Sequence, residues 1–268
     1  MSDATEPDVL LGGDLTVIGQ ITTASNATLV CDSILGEQSM RVVYKPVRGE
    51  RPLWDFPDGT LAGREVASYR VSETLGWGVI PRTVLRDGPF GLGMVQRWVD
   101  TVDRVSDGSS EPEIVDLCSP GNVPPGWFEV LQAFDSEGEP VSLIHADDPR
   151  LQRMAVLDVL INNADRKGGH ALEGVDGSVY GVDHGICLHT DNKLRTVLWG
   201  WAGQTVPGSL IADVAELATA VDGHLGDELS ELITDAEIAA LAERAKNLTA
   251  LAVMPVPNGH RTIPWPPF

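Results

Sequence analysis

The pattern of this chain changes once, near residue 100, and that change limits its possible folds more than any single motif does. Before it, short apolar and β-branched runs alternate with polar turns. Residues 15–21 and 27–31 flank the polar turn 22–26, and a third run at 40–47 follows Gly36-Glu37, which reads as an antiparallel meander. Pro46 marks the end of the third strand, because proline cannot donate to a ladder. Residues 48–59 read as a loop. Residues 61–75 then take helical spacing, with Ala62, Val66 and Tyr69 on one stripe and Gly76, Gly78 and Pro81 as the exit. Two further strands, 83–86 and 93–99, surround an Asp87-Gly88 turn.

Residues 100–125 are rich in Asp, Ser, Gly and Pro and read as a linker or long surface loop. Beyond them helices are expected: 151–162, apolar nearly all round and so buried, then 209–220, 225–233 and 235–251. Thr234-x-x-Glu237 forms a capping box before the last one. The expected architecture is α+β and two-lobed. A polar lead-in (1–13) opens an N-lobe of antiparallel sheet plus one helix (1–98), and a mainly helical C-lobe follows (99–268), with a cleft between the lobes as the place for a ligand.

Composition narrows the function. With 43% hydrophobic residues in 268, a sizeable core can be buried. The net charge of −20 argues against nucleic acid, whose phosphates need clustered Lys and Arg, and against docking on an anionic bilayer. Cys31, Cys118 and Cys187 form no CxxC pair, which fits a reducing compartment without a zinc site. The start, Met1-Ser2-Asp3-Ala4-Thr5-Glu6, lacks an apolar signal segment, and no apolar run reaches the roughly 18 residues of a membrane span, so the expected location is the cytoplasm.

The residues suited to chemistry cluster in order along the chain. Ile161-Asn162-Asn163-Ala164-Asp165-Arg166 carries a buried helix into Asn-x-Asp-Arg, and Gly181-Val182-Asp183-His184-Gly185 ends a short strand in Asp-His-Gly. Two carboxylates placed so can divide the work of phosphoryl transfer, one orienting the attacking hydroxyl and the other holding a metal on the nucleotide phosphates. Lys45, on the third strand, can grip phosphates as a point charge; its alternative is a solvated strand lysine. Glu65, on the next helix, can pair with and fix Lys45, with Glu73 a competitor two turns on. His170 can ligate a divalent metal through a neutral imidazole, although a lone His is often structural. The turn at 22–26 offers backbone N–H groups and hydroxyls, that of Ser25 among them, to a phosphate. Gln96, Arg97 and Trp98, where the sheet ends, can meet a nucleotide base, and Trp98 is equally suited to packing. Arg166 and Lys167 supply positive charge in an acidic chain, charge available to an anion, while Asp158 reads as buried and bonded to loop backbone.

Taken together, Lys on the third strand, Glu on the next helix, Asn-x-Asp-Arg and then Asp-x-Gly resemble the atypical kinases of the phosphatidylinositol 3-/4-kinase superfamily, and HipA-like kinases are similar. The resemblance covers roughly residues 15–220. It implies an ATP- and divalent-metal-dependent kinase in which Lys45 is the ATP lysine, Glu65 its partner, Asp165 the catalytic-loop Asp and Asp183 the metal-binding Asp. The family's metal-binding Asn is replaced here by His170, and the Phe of its Asp-Phe-Gly triplet by His184, which makes Mn²⁺ as credible as Mg²⁺. The acceptor expected is a protein or small polar metabolite rather than a lipid. AMP transfer on the same fold and nucleotide binding without turnover are the alternatives.

Overall fold

The structure is a computed structural model that describes residues 5–22, 26–103, 111–259 and 261–268. It begins with a helix where the sequence suggested only a polar lead-in: α1, Glu6–Gly12. The Thr5 N–H donates to the Asp8 carboxylate at 2.9 Å, and Pro7 sits in the first turn, where no donor is needed. Its far end is closed by Arg86, whose guanidinium donates to the carbonyls of Leu10 (2.9 Å) and Gly13 (2.7 Å). A seven-residue helix has too few periods to stand out in a sequence.

The first sheet joins β1 (Asp14–Gln20), β2 (Leu29–Leu35), β3 (Gln38–Pro46), β4 (Thr83–Gly88) and β5 (Gly91–Arg97) in the order β1-β2-β3-β5-β4, all antiparallel. The hairpin between β4 and β5 turns at Pro89-Phe90, two residues past the expected Asp87-Gly88. Side chains alternate across a strand, so Val42 and Tyr44 of β3 pack with Leu10, Cys31 and Val95 on one face. Lys45 is thereby turned to the opposite face, where its ladder partner Met94 packs with Ala62 and Val66 of α2, Leu61–Thr74.

α2 starts at two acceptors. Thr60 Oγ1 accepts from Gly63 N–H, and the Glu50 carboxylate accepts from the N–H groups of Leu61 and Ala62. The helix is buried on nearly every side between Ala62 and Ser72, not along one stripe. Arg64 on it is buried and pairs with Glu237 at 2.6 Å while donating to the Cys187 carbonyl.

Downstream of residue 100 the chain is less helical than its sequence suggested. A second sheet, β6 (Val115–Cys118), β7 (Trp127–Phe134) and β8 (Pro140–Ala146), runs antiparallel in the order β6-β8-β7. α3 (Pro149–Leu160) follows, with Asp148 as its N-cap. A two-stranded ribbon, β9 (Ala171–Glu173) with β10 (Val179–Gly181), leads to α4 (Gly208–Val221), α5 (His224–Leu229) and α6 (Asp235–Leu251). The capping box of α6 is present: one Glu237 oxygen accepts from both the N–H and the hydroxyl of Thr234 at 2.9 Å. The main core surrounds α3, whose Leu151, Met154, Val156, Leu157 and Leu160 are fully buried. Among the described residues no helix is long and apolar enough to cross a membrane. The fold is therefore α+β, with an antiparallel sheet at one end and, among the described residues, six α-helices.

Candidate active site

Helix α3 ends in a left-handed residue, Asn162 (φ 51°), a conformation that Asn tolerates better than most side chains. Its amide donates to the carbonyls of His189 and Asp191 and its oxygen accepts from Lys193 N–H, so one side chain ties down the 189–193 loop. The next residue, Asn163, accepts from the Asp165 N–H at 2.9 Å and donates to Asp158 at 3.0 Å, which fixes the loop bearing Asp165 to the helix before it. Asn163 is the Asn of the Asn-x-Asp-Arg run, whereas Asn162 carried no distinguishing signal beyond its place at the helix end.

Below this loop lies a closed ion pair. Arg166 and Asp158 are both fully buried and pair at 2.9 Å. The Arg166 guanidinium also donates to the carbonyls of His170 (3.1 Å) and Val182 (3.2 Å) and to His184 Nε2 (2.6 Å). Thr196 donates at 3.3 Å to Asp158 Oδ2, which also accepts from Arg166 Nε at 3.0 Å. Arg166 is thus fully engaged, contrary to its reading as charge available to an anion. Asp158 bonds side chains, not the loop backbone expected of it.

Above the loop the charges face a cleft lined by Lys45, Glu65, Asp165 and Asp183, with Asn26, Thr28 and Gly185 around them. Lys45 Nζ donates to Glu65 Oε1 at 2.5 Å and to Asp183 Oδ1 at 2.8 Å. Burial alone would lower the Lys45 pKa, but the Asp183 and Glu65 carboxylates raise it beyond the ordinary lysine range, so it stays charged. Burial raises the Glu65 carboxyl, partly offset by Lys45; the other Glu65 oxygen accepts from the His184 N–H at 3.1 Å. Glu73 lies elsewhere on α2, bonded to Tyr69 and Arg70.

Asp183 has a left-handed backbone (φ 60°), a costly conformation that aims its carboxylate at the cleft. The Lys45 ammonium holds its pKa well below the usual carboxylate range. Asp165 has the opposite character. Burial pushes it up to about 6, with Lys167 (3.6 Å) and Arg195 pulling it down and Asp183 pushing it up. A carboxyl tuned toward neutrality while its neighbour is fully ionised is a division of labour suited to proton acceptance beside cation binding.

His170 completes the group. Its Nδ1 lies 3.0 Å from the Asp165 carbonyl, which can only accept, so Nδ1 carries the hydrogen and Nε2 keeps a lone pair. Burial lowers its pKa to about 4, which keeps the ring neutral at pH 7. Nε2 stands 3.5 Å from Asp183 Oδ2. Two acceptors facing at that distance repel unless a cation joins them, so the donor set fits a divalent metal with one carboxylate and one imidazole. No group of three or more His, Cys, Asp or Glu side chains is disposed around one point among the described residues. Two protein ligands leave room for water and phosphate oxygens, as Mg²⁺ and Mn²⁺ sites on nucleotides do.

The structure thus gathers Lys45, Glu65, Asp165, Asp183 and His170 into one place. It puts the other expected contacts elsewhere. Gln96 is buried and donates to Thr83 at 2.8 Å, Arg97 lies over the Tyr180 ring, and Trp98 lines a separate hollow with Arg41 and Glu6. Ser25 lies outside the described residues. Trp201 is core, its indole donating to Asp147, and Trp199 donates to the Thr262 carbonyl.

No family model matches the chain. A solved structure of a proinflammatory kinase from Helicobacter pylori, CtkA, superposes with a TM-score of 0.42 and 12% identity, covering 89% of this chain and 98% of that one. At the level of sequence the chain is 58% identical over 267 residues to Protein Rv2133c of Mycobacterium tuberculosis (strain ATCC 25618 / H37Rv), covering 98% of this chain and 95% of that protein. The chain belongs to the family of Rv2133c.

Proposed function

We propose that the protein is an ATP- and divalent-metal-dependent kinase, acting in the cytoplasm on a hydroxyl of a protein or small polar metabolite. The observation that carries this reading is the position of Lys45, held at once by Glu65 and Asp183 in a cleft that Asp165 also lines.

In this reading Glu65 aims Lys45, and the ammonium meets nucleotide phosphates as a point charge. Asp183 and His170 would hold Mg²⁺ or Mn²⁺, which would neutralise charge on the phosphates when bound. Asp165 accepts a hydrogen bond from the acceptor hydroxyl and takes its proton, a role its raised pKa suits near neutral pH. Lys167 beside it offsets charge building on the acceptor side. Ser25 remains a candidate for a phosphate contact.

ATP labelled at the α- or γ-phosphate, supplied with Mg²⁺ or Mn²⁺ to the protein with and without cell extract, tests the reading. γ-Label on an acceptor, lost in Asp165→Ala, is expected. α-Label would instead mean AMP transfer, and measurable ATP binding without either label would mean a nucleotide-sensing protein.

A further inference from the structure

Apart from the Lys45 cleft, a groove of about 730 Å³ lies between α6 and the 190–195 loop, continued by residues 253–259 and Arg261. Its charge is opposite to that of the chain. Lys193, Arg195, Arg244 and Arg261 line it against one carboxylate, Glu243, in a protein whose net charge is −20. Lys193 is engaged by Asp55 at 3.0 Å. Arg244 spends its hydrogen bonds on neutral carbonyls, those of Leu160 (2.7 Å) and His189 (3.2 Å), and its Nη2 is buried without a partner among the described residues. The positive charge of Arg244 is therefore not cancelled by an ion pair.

The floor of the groove is apolar and open to water. Leu251 is 71% exposed, Val256 60% and Val253 38%, all lining the same hollow. Exposed apolar side chains under a basic rim mark a binding surface. The groove also adjoins the cleft. Arg195 N–H donates to the Asn163 carbonyl and the Arg195 carbonyl accepts from Arg166 N–H, so Arg195 runs alongside the loop that carries Asp165.

We propose that this groove docks an acidic, partly apolar segment of a protein and presents a neighbouring hydroxyl of that segment to Asp165. The proposal rests on the kinase reading for the transfer step but not for the docking. Carboxylates answer the basic rim, and apolar side chains cover Leu251, Val253 and Val256, a surface that a small anion would leave wet. A flat bilayer cannot reach into a concave floor, and the surrounding negative charge repels an extended polyanion beyond a Debye length of about 10 Å while a short segment feels mainly the local field.

The test is equilibrium binding of a fluorescein-labelled peptide in which glutamate and leucine alternate around one serine, with the same peptide carrying lysine for glutamate as the control. Inorganic phosphate and vesicles of phosphatidylglycerol are run in parallel. The glutamate peptide should bind, weaken with added salt, and weaken about tenfold in Arg261→Glu, with a smaller loss in Leu251→Ser. Both residues are exposed, so either variant should fold. Equal binding of the lysine peptide, indifference to both variants, complete displacement by inorganic phosphate, or binding to vesicles in place of peptide would each overturn the docking. Label transfer from [γ-³²P]ATP to the bound serine then separates the two readings. Salt-sensitive, Arg261-dependent binding without transfer keeps the groove and counts against the kinase. Transfer that ignores Arg261→Glu keeps the kinase and removes the groove.

Discussion

Two ion-pair clusters meet at the Asn-x-Asp-Arg loop, built from the same kinds of side chain and opposite in character. Below the loop, Arg166 and Asp158 are fully buried and each is bonded to several partners. Above it, Lys45 is shared by Glu65 and Asp183, and the Asp183 side chain is 48% exposed. The closed cluster has no valence left for a ligand. The open one has a carboxylate in a strained backbone, a neutral imidazole with a free lone pair, and a second carboxyl near neutrality. Burial, not residue type, separates scaffold from reagent.

That contrast breaks most visibly if the closed cluster is halved. Asp158→Ala leaves Arg166 charged and buried without a counterion, and should cost about 3–5 kcal/mol in denaturant unfolding at pH 7. A loss under about 1 kcal/mol would mean that water reaches Arg166 and that the cluster is not closed.

A second closed site, remote from the cleft, extends the comparison to pH. His145 is buried, accepts from Gly200 N–H, and burial lowers its pKa to about 4. The folded state therefore binds this proton less readily than the unfolded chain, whose His titrates near 6.5. Stability from this group is intact above pH 6.5 and falls as pH drops toward 4. About 2 kcal/mol should be lost between pH 7.5 and 5, and His145→Gln should remove that part of the slope. Parallel profiles for the two proteins would contradict the burial of the neutral ring.

The open cluster should respond in the reverse way. Asp183→Ala removes a half-exposed partner of Lys45 and should change stability by less than about 1 kcal/mol. It should nevertheless abolish metal-dependent ATP turnover and the binding of Mn²⁺ followed by its electron spin resonance. Retained turnover would remove Asp183 from the site. A small change, in stability alone, is expected of Gly168→Ala. A Cβ there would run into the Phe268 ring, so the C-terminal segment must shift, at a cost of about 1 kcal/mol that Phe268→Ala should relieve in the double variant.

How much of this could be read in the sequence follows the same division. The strands of the first sheet, the meander of its first three, α2, α3 and the α6 capping box showed because periodicity and caps are local signals; the pairing of β3 with β5 did not. Lys45, Glu65, Asp165, His170 and Asp183 could be singled out because each ends or punctuates such an element, and the structure brings them together. The second sheet did not show. Its β7 strand is half-exposed on both faces, which blurs the alternation, and it follows a Gly- and Pro-rich stretch that reads as loop. The pairing of Arg166 with Asp158 was equally silent. A spacing of eight residues across a helix end says nothing about whether a guanidinium turns inward.

Glu237 serves two structures with one carboxylate. One oxygen closes the first turn of α6 through Thr234, and the other holds Arg64, the residue beside Glu65 on α2. The helix that carries Glu65 is thereby tied to a helix cap more than 170 positions down the chain. A fault in that cap would present as two symptoms at once, a frayed helix at one end of the molecule and a misdirected lysine at the other.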